Sequence, residues 1–60
     1  MLVKVFGYNA YEKRNFSYEI ENVVCVMQVL DRIVIQFIDK DGTPQTTQYI
    51  KDSVKIVVEN

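Results

Sequence analysis

The chain has no histidine and no tryptophan, and only one cysteine, one proline and two glycines. Most of these shortages remove a class of chemistry. Without histidine no side chain has an ordinary pKa suited to general-base work near neutral pH, and no imidazole is present to bind a metal. The single cysteine, Cys25, cannot close an internal disulfide, and one soft ligand cannot hold zinc. An excess of charge of one sign is missing too. Seven cations stand against eight carboxylates, for a net charge of −1, so no global field draws in nucleic acid or a membrane. No apolar run reaches the ~18 residues of a membrane span. The N-terminal stretch MLVKVFGYN has no basic segment followed by a long apolar one, which argues against a signal peptide. A lone thiol without an export signal fits a cytoplasmic protein.

Sixty residues make one small domain, residues 1–60. A chain of this size buries only about 60% of the surface its unfolded form exposes. Disulfides, a metal or self-association usually offset that weakness. With the first two ruled out by composition, self-association or a larger protein partner is the expected supplement.

The largest apolar stretch is Val23–Ile38, VVCVMQVLDRIVIQFI. β-Branched residues dominate it, and these pack well on a pleated surface. Its odd positions Val23, Cys25, Met27, Val29, Ile33, Ile35 and Phe37 are all apolar. Its even positions are mixed and include Gln28 and Gln36. Two strands joined by a three-residue or bulged turn near Asp31-Arg32 would put every odd side chain in the core, Cys25 included. The even face is more apolar than a solvated face requires, so something is expected to cover part of it.

Around this hairpin, Leu2–Phe6 reads as a strand stopped by Gly7. Tyr8–Asn22 reads as a long aromatic loop whose end, at Phe16, Tyr18 and Ile20, becomes extended. Asp39–Thr43 carries a turn over Lys40-Asp41 closing on Gly42. Gln45–Ile50 is polar and follows Pro44, which suits an edge strand. Val54–Val58 is the last strand, reached through a short connection at Lys51–Ser53. The expected fold is all-β, either a five-stranded small barrel or a strongly bent antiparallel meander.

Two stretches carry a resemblance. Val5-Phe6-Gly7-Tyr8-Asn9-Ala10-Tyr11 resembles the Ala-Leu-Tyr-Asp-Tyr motif that follows the first strand of SH3 domains. Tyr49-Ile50-Lys51-Asp52-Ser53-Val54 is similar to their last connection, Tyr-Ile-Pro-Ser-Asn-Tyr-Val. The resemblance implies an SH3-like small barrel, with a long first loop and a one-turn connection before the last strand. It does not imply proline-rich peptide binding, because the groove tryptophan is missing and Lys51 replaces the motif's proline. In size and composition the chain also resembles the short accessory proteins of bacteriophages and mobile elements.

No residue constellation supports an enzyme, and no cofactor or small-molecule substrate is expected. The pattern Asp39-x-Asp41 fails as a calcium loop, because Thr43, Pro44 and Ile50 occupy its fifth, sixth and twelfth positions. The expected function is a non-enzymatic protein-interaction module, for a protein partner or for a homodimer. The candidate partner-binding residues are Tyr8, Tyr11, Lys13, Arg14 and Tyr49, since tyrosine and arginine dominate interface hot spots. Gln45, Thr46, Thr47 and Gln48 are candidates for pairing an uncharged edge with another chain. The alternative is weak binding of single-stranded nucleic acid through Lys4, Tyr8, Tyr11, Lys13 and Arg14. Glu12, Glu19 and Glu21 offset the cations of that surface.

Overall fold

The computed structural model describes all 60 residues and is all-β. Its strands are β1 (Leu2–Asn9), β2 (Arg14–Ile20), β3 (Val23–Val29), β4 (Arg32–Ile38), β5 (Pro44–Ile50) and β6 (Val54–Glu59). A single 3-10 turn, Lys51–Ser53, supplies the short connection before β6. The strands form two three-stranded antiparallel sheets, ordered β2-β1-β6 and β3-β4-β5. The first strand lies beside the last, but neither sheet closes, so the molecule is not a closed barrel and has six strands rather than five.

The extra strand corrects the long-loop expectation for Tyr8–Asn22. Gly7 does not stop β1, which pairs with β2 in unbroken register from Val3↔Ile20 to Asn9↔Arg14. Gly7 faces Phe16 across that ladder. A Cβ at Gly7 would overlap the Phe16 ring, so the missing side chain makes room for an aromatic one. The turn is closed locally. The Asn9 side-chain oxygen accepts from the backbone N–H of Tyr11 at 2.9 Å and of Glu12 at 3.1 Å. Lys13 then takes a left-handed φ of 53°.

The central hairpin corrects a second expectation. Its connection is a two-residue turn, Leu30-Asp31, closed by Val29↔Arg32. Such a turn pairs odd positions with even ones, as in Val26↔Ile35 and Gln28↔Ile33. A bulge between Val23 and Cys25 then shifts the register, and Val23 faces Phe37. Directly paired residues share a face. Val23 and Val26 therefore join Ile33, Ile35 and Phe37 on the inner side, whereas Cys25, Met27 and Val29 turn outward with Gln36 and Val34. Cys25 is a free, half-buried thiol on this outer face rather than a core residue. Gln28 lies on the inner side at its exposed end, and its amide donates to the Leu30 carbonyl at 3.3 Å.

The core sits between the sheets. Val3, Val5 and Ile35 are fully buried, and Ile20 and Val23 nearly so. Phe16, Val26, Ile33, Phe37, Tyr49, Val54 and Ile56 pack around them, half-buried. Backbone bonds stitch the two layers together. Val23 N–H donates to the Met1 carbonyl at 3.0 Å, and Ile38 N–H donates to the Asn22 carbonyl at 3.1 Å. Asn22 holds a φ of 57° there, a conformation asparagine tolerates better than most residues.

The Asp39–Thr43 turn forms as the sequence predicts. Gly42 N–H donates to the Asp39 carbonyl, and Asp39 N–H to the Thr43 carbonyl, both at 3.0 Å. Gly42 takes the required positive φ of 80°. β5, which follows, is an edge strand paired only with β4.

Candidate functional site

Two strands with free edges meet on one side of the molecule. β2 pairs only with β1, and β5 only with β4. Between them lies a groove of about 600 Å³, lined from β2, β4, β5 and the start of the Asp39 turn. Tyr18 and Tyr49 span it, their rings 6.5 Å apart and tilted by 43°. Their hydroxyls share a hydrogen bond. Phe16 stacks against Tyr18 with ring centroids 5.9 Å apart. Partial burial, reinforced by the Tyr49 hydrogen bond, holds the Tyr18 hydroxyl well above the usual phenol range.

Alternation explains why these rings converge. Phe16, Tyr18 and Ile20 occupy the inner positions of β2, and Thr47 and Tyr49 those of β5, opposite Ile35 and Ile33. Ile20, Phe37 and Ile38 complete the apolar part of the groove. Glu19, Glu21, Asp39 and Lys40 are the charged residues along its rim, but Glu19 pairs with the outward Lys4 and carries its carboxylate on the outer face, and both carboxylate oxygens of Asp39 are taken up within its own turn. None of the three carboxylates joins an ion pair. The salt bridges of the molecule are Lys4–Glu59 at 3.3 Å, Arg14–Glu12 at 2.8 Å and Arg32–Asp31 at 3.8 Å.

The residues expected to bind a partner do not form one cluster. Tyr49 lies in the groove beside Tyr18. Tyr8 sits on the outer face of the β2-β1-β6 sheet, and Tyr11 projects from the β1–β2 turn, fully exposed. Lys13 is in the same turn, and Arg14 is tied to Glu12. Lys4, also outward, is tied to Glu59. Gln45, Thr46, Thr47 and Gln48 do lie together along the free edge of β5, with no charge among them and no register shift against β4.

One outward residue was missed by reading Gly7 as a stop. Continuing the alternation of Leu2, Lys4, Phe6 and Tyr8 through the glycine shows Phe6 as an exposed neighbour of Tyr8. Lys55 lies directly opposite Phe6. The outer face of the β3-β4-β5 sheet was also hidden from the sequence by the bulge. It shows Met27, Val29 and Ile50 partly exposed, with Leu30 almost fully exposed at the turn.

No family model, curated protein or solved structure matches the chain. No helix of the molecule is long and apolar enough to cross a membrane.

Proposed function

We propose that the chain is a non-enzymatic protein-interaction module that takes up an extended segment, from a partner or a second copy, on the free edge of β5. One observation carries this reading. β5 is a seven-residue edge strand with none of the usual guards: no charged side chain and no bulge, only Pro44 at its first position. Its unpaired backbone groups are a template for strand addition, which gives affinity through the main chain and selectivity through alternate side chains. The apolar outer face of the same sheet adds support for self-association in a chain with so small a core. The element order, with β1 beside β6 and a 3-10 turn before β6, supports an opened relative of the SH3-like arrangement.

The test compares the wild type with Thr46→Lys plus Gln48→Lys, which places cations on the exposed edge. Sedimentation to high micromolar concentration reads self-association, and capture from the native host reads other partners. The wild type is expected to associate and the variant to stay alone, with unchanged circular dichroism. A wild type that stays monomeric, together with a variant that captures the same partners, overturns the proposal.

A second reading keeps one specific observation behind it. Phe6 and Tyr8 stand exposed at successive outward positions of β1, with Lys55 opposite Phe6 and Lys13 free of ion pairs. Such a face can stack bases and neutralise phosphates. Lys4 and Arg14, which that reading also needs, are already held by carboxylates. Oligonucleotides that leave tyrosine fluorescence unquenched at low salt remove it.

A further inference from the structure

We propose that the segment taken up by β5 is β5 of a second copy, paired antiparallel across a two-fold axis at Thr47. The inference rests on the β5-edge reading and names its occupant and register.

Hydrogen bonding within the chain decides which backbone groups of β5 are free. Antiparallel ladders alternate between residues that exchange both bonds and residues that exchange none. Just beyond one end of the β4–β5 ladder, Asp39 N–H donates to the Thr43 carbonyl at 3.0 Å; just beyond the other, Lys51 N–H donates to the Asp31 carbonyl at 2.8 Å. The odd-numbered residues of β5 therefore bond to β4, and Pro44, Thr46, Gln48 and Ile50 turn their backbone groups to the open side. Two of those groups are not on offer. Pro44 has no N–H, and the Ile50 carbonyl already accepts from the Ser53 hydroxyl at 2.7 Å. Donors remain on Thr46, Gln48 and Ile50, and acceptors on Pro44, Thr46 and Gln48.

A second β5 fits this set in one register. With Thr47 opposite its own counterpart, Thr46 exchanges both bonds with the partner's Gln48, and Gln48 with the partner's Thr46. Ile50 N–H donates to the carbonyl of the partner's Pro44. The missing proline donor then falls opposite the carbonyl that Ser53 has filled, so no free edge group goes unused. Centring the pair on Thr46 leaves the Gln48 carbonyl opposite a proline. Centring it on Gln48 carries Pro44 past the end of the other strand.

The side chains suit the same arrangement. In a two-fold pair each strand meets its own sequence, so any charge on β5 would bring like charge across the ladder; PQTTQYI has none. The other open-edged strands are guarded: β2 carries Arg14 and Glu19, β6 carries Lys55 and Glu59, and β3 is bulged between Val23 and Cys25. On the outer face the exposed Ile50 side chain lies against the partner's Pro44. On the inner face the two Thr47 hydroxyls meet, a favourable cross-strand pair.

The experiment uses the full chain. Ile50 holds a φ of −72°, which proline adopts without strain, and its N–H points to the open side. Ile50→Pro therefore deletes an edge donor without breaking a bond inside the chain, and Ile50→Val controls for the altered side chain. Sedimentation is expected to show a wild-type dimer at high micromolar concentration, weakened at least about tenfold by Ile50→Pro and little by Ile50→Val. Hydrogen exchange at the Thr46, Gln48 and Ile50 amides is expected to slow as concentration rises, while Gln45, Thr47 and Tyr49 exchange slowly throughout. For the register, Thr47→Cys in a chain that also carries Cys25→Ser is expected to form an interchain disulfide in glutathione buffer. Thr46→Cys and Gln48→Cys chains are expected to do so only when mixed. Cross-linking of Thr46→Cys alone as readily as Thr47→Cys overturns the register. A wild type that stays monomeric, or a dimer whose Thr46, Gln48 and Ile50 amides still exchange freely, overturns the second-copy inference. The edge reading survives that result only if Ile50→Pro loses a host partner that the wild type captures, and falls with it if capture is unchanged.

Discussion

Tyr18 of β2 and Tyr49 of β5, thirty-one positions apart in sequence, join the two sheets through a hydrogen bond between their hydroxyls. It closes a gap that no backbone ladder closes. A half-exposed hydrogen bond of this kind contributes about 0.5–1.5 kcal/mol, and Tyr18→Phe is expected to cost that amount near neutral pH. The pH dependence follows from the raised hydroxyl pKa. In the unfolded chain Tyr18 ionises near pH 10, as tyrosines ordinarily do. In the folded chain it holds its proton to higher pH. Its contribution is therefore full below about pH 10 and is lost as pH rises beyond it. Urea midpoints of wild type and Tyr18→Phe, measured from neutral pH upward, are expected to converge above about pH 10. A difference that stays constant across that range contradicts the assignment.

Gly7 and Phe16 make a second, separable prediction. The Phe16 ring occupies the space over Gly7 and is itself stacked on Tyr18, so it cannot swing away freely. Gly7→Ala is expected to destabilise by about 1–3 kcal/mol, the usual cost of overpacking. The loss should shrink when Phe16 is also changed to Leu, because the two substitutions act on one contact. Chemical denaturation of the four members of this cycle measures the coupling. Strict additivity would mean the ring does not fill the place of the missing side chain.

These two contacts also mark where the sequence stops being readable. The turn at Asp39–Gly42 and the edge character of β5 were legible, because turn chemistry and strand polarity are local. The inner placement of Ile33, Ile35 and Phe37 was legible from alternation alone. The role of Gly7 was not, since a glycine that ends a strand and one that accommodates a ring from the next strand look alike until the partner is known. The bulge after Val23 was hidden for a different reason. In the run Val23-Val24-Cys25-Val26 both parities are apolar, so a one-residue shift exchanges one apolar set for another and hydropathy cannot choose between them. The groove was the least legible feature, because β2 and β5 meet only through the packing of the two sheets.

The Asp39 turn is expected to govern stability at acid pH. One carboxylate oxygen accepts from the N–H groups of Asp41 and Thr43, each at 2.9 Å. The other accepts from the Gln45 side-chain amide at 2.9 Å. The Gln45 hydrogen bond, then those from Thr43 and Asp41, hold the Asp39 carboxyl below the usual aspartate range. A depressed pKa stabilises the fold above the ordinary value of about 3.9, and that stability is lost as pH falls below it. Asp39→Asn keeps one oxygen for the backbone donors but no longer titrates. Its melting temperature is expected to fall less than that of wild type as pH drops through that range. Identical acid profiles would place the acid sensitivity elsewhere. Gln45→Ala should raise the Asp39 pKa, read directly from its side-chain carbon shift.

Leu30 combines two unfavourable features in one residue. It holds a left-handed φ of 56° and its side chain is 89% exposed. The left-handed conformation costs a leucine roughly 1–2 kcal/mol. Asparagine enters that region more readily, and loses less unfolded-chain entropy than glycine would. Leu30→Asn is therefore expected to stabilise the monomer by about 0.5–1 kcal/mol, while Leu30→Gly gains less because glycine's extra unfolded-state freedom offsets part of the relief. The readout is the urea midpoint at low protein concentration, with an unchanged slope showing that the unfolded state has not altered. The same substitution removes the most exposed leucine from the apolar face that carries Met27, Val29 and Ile50. If that face joins two copies, Leu30→Asn lowers the midpoint at high concentration while raising it at low concentration, since only the associated form loses a contact. A midpoint lowered at every concentration would show that Leu30 packs within its own chain, and that the strained turn is held in place by its side chain.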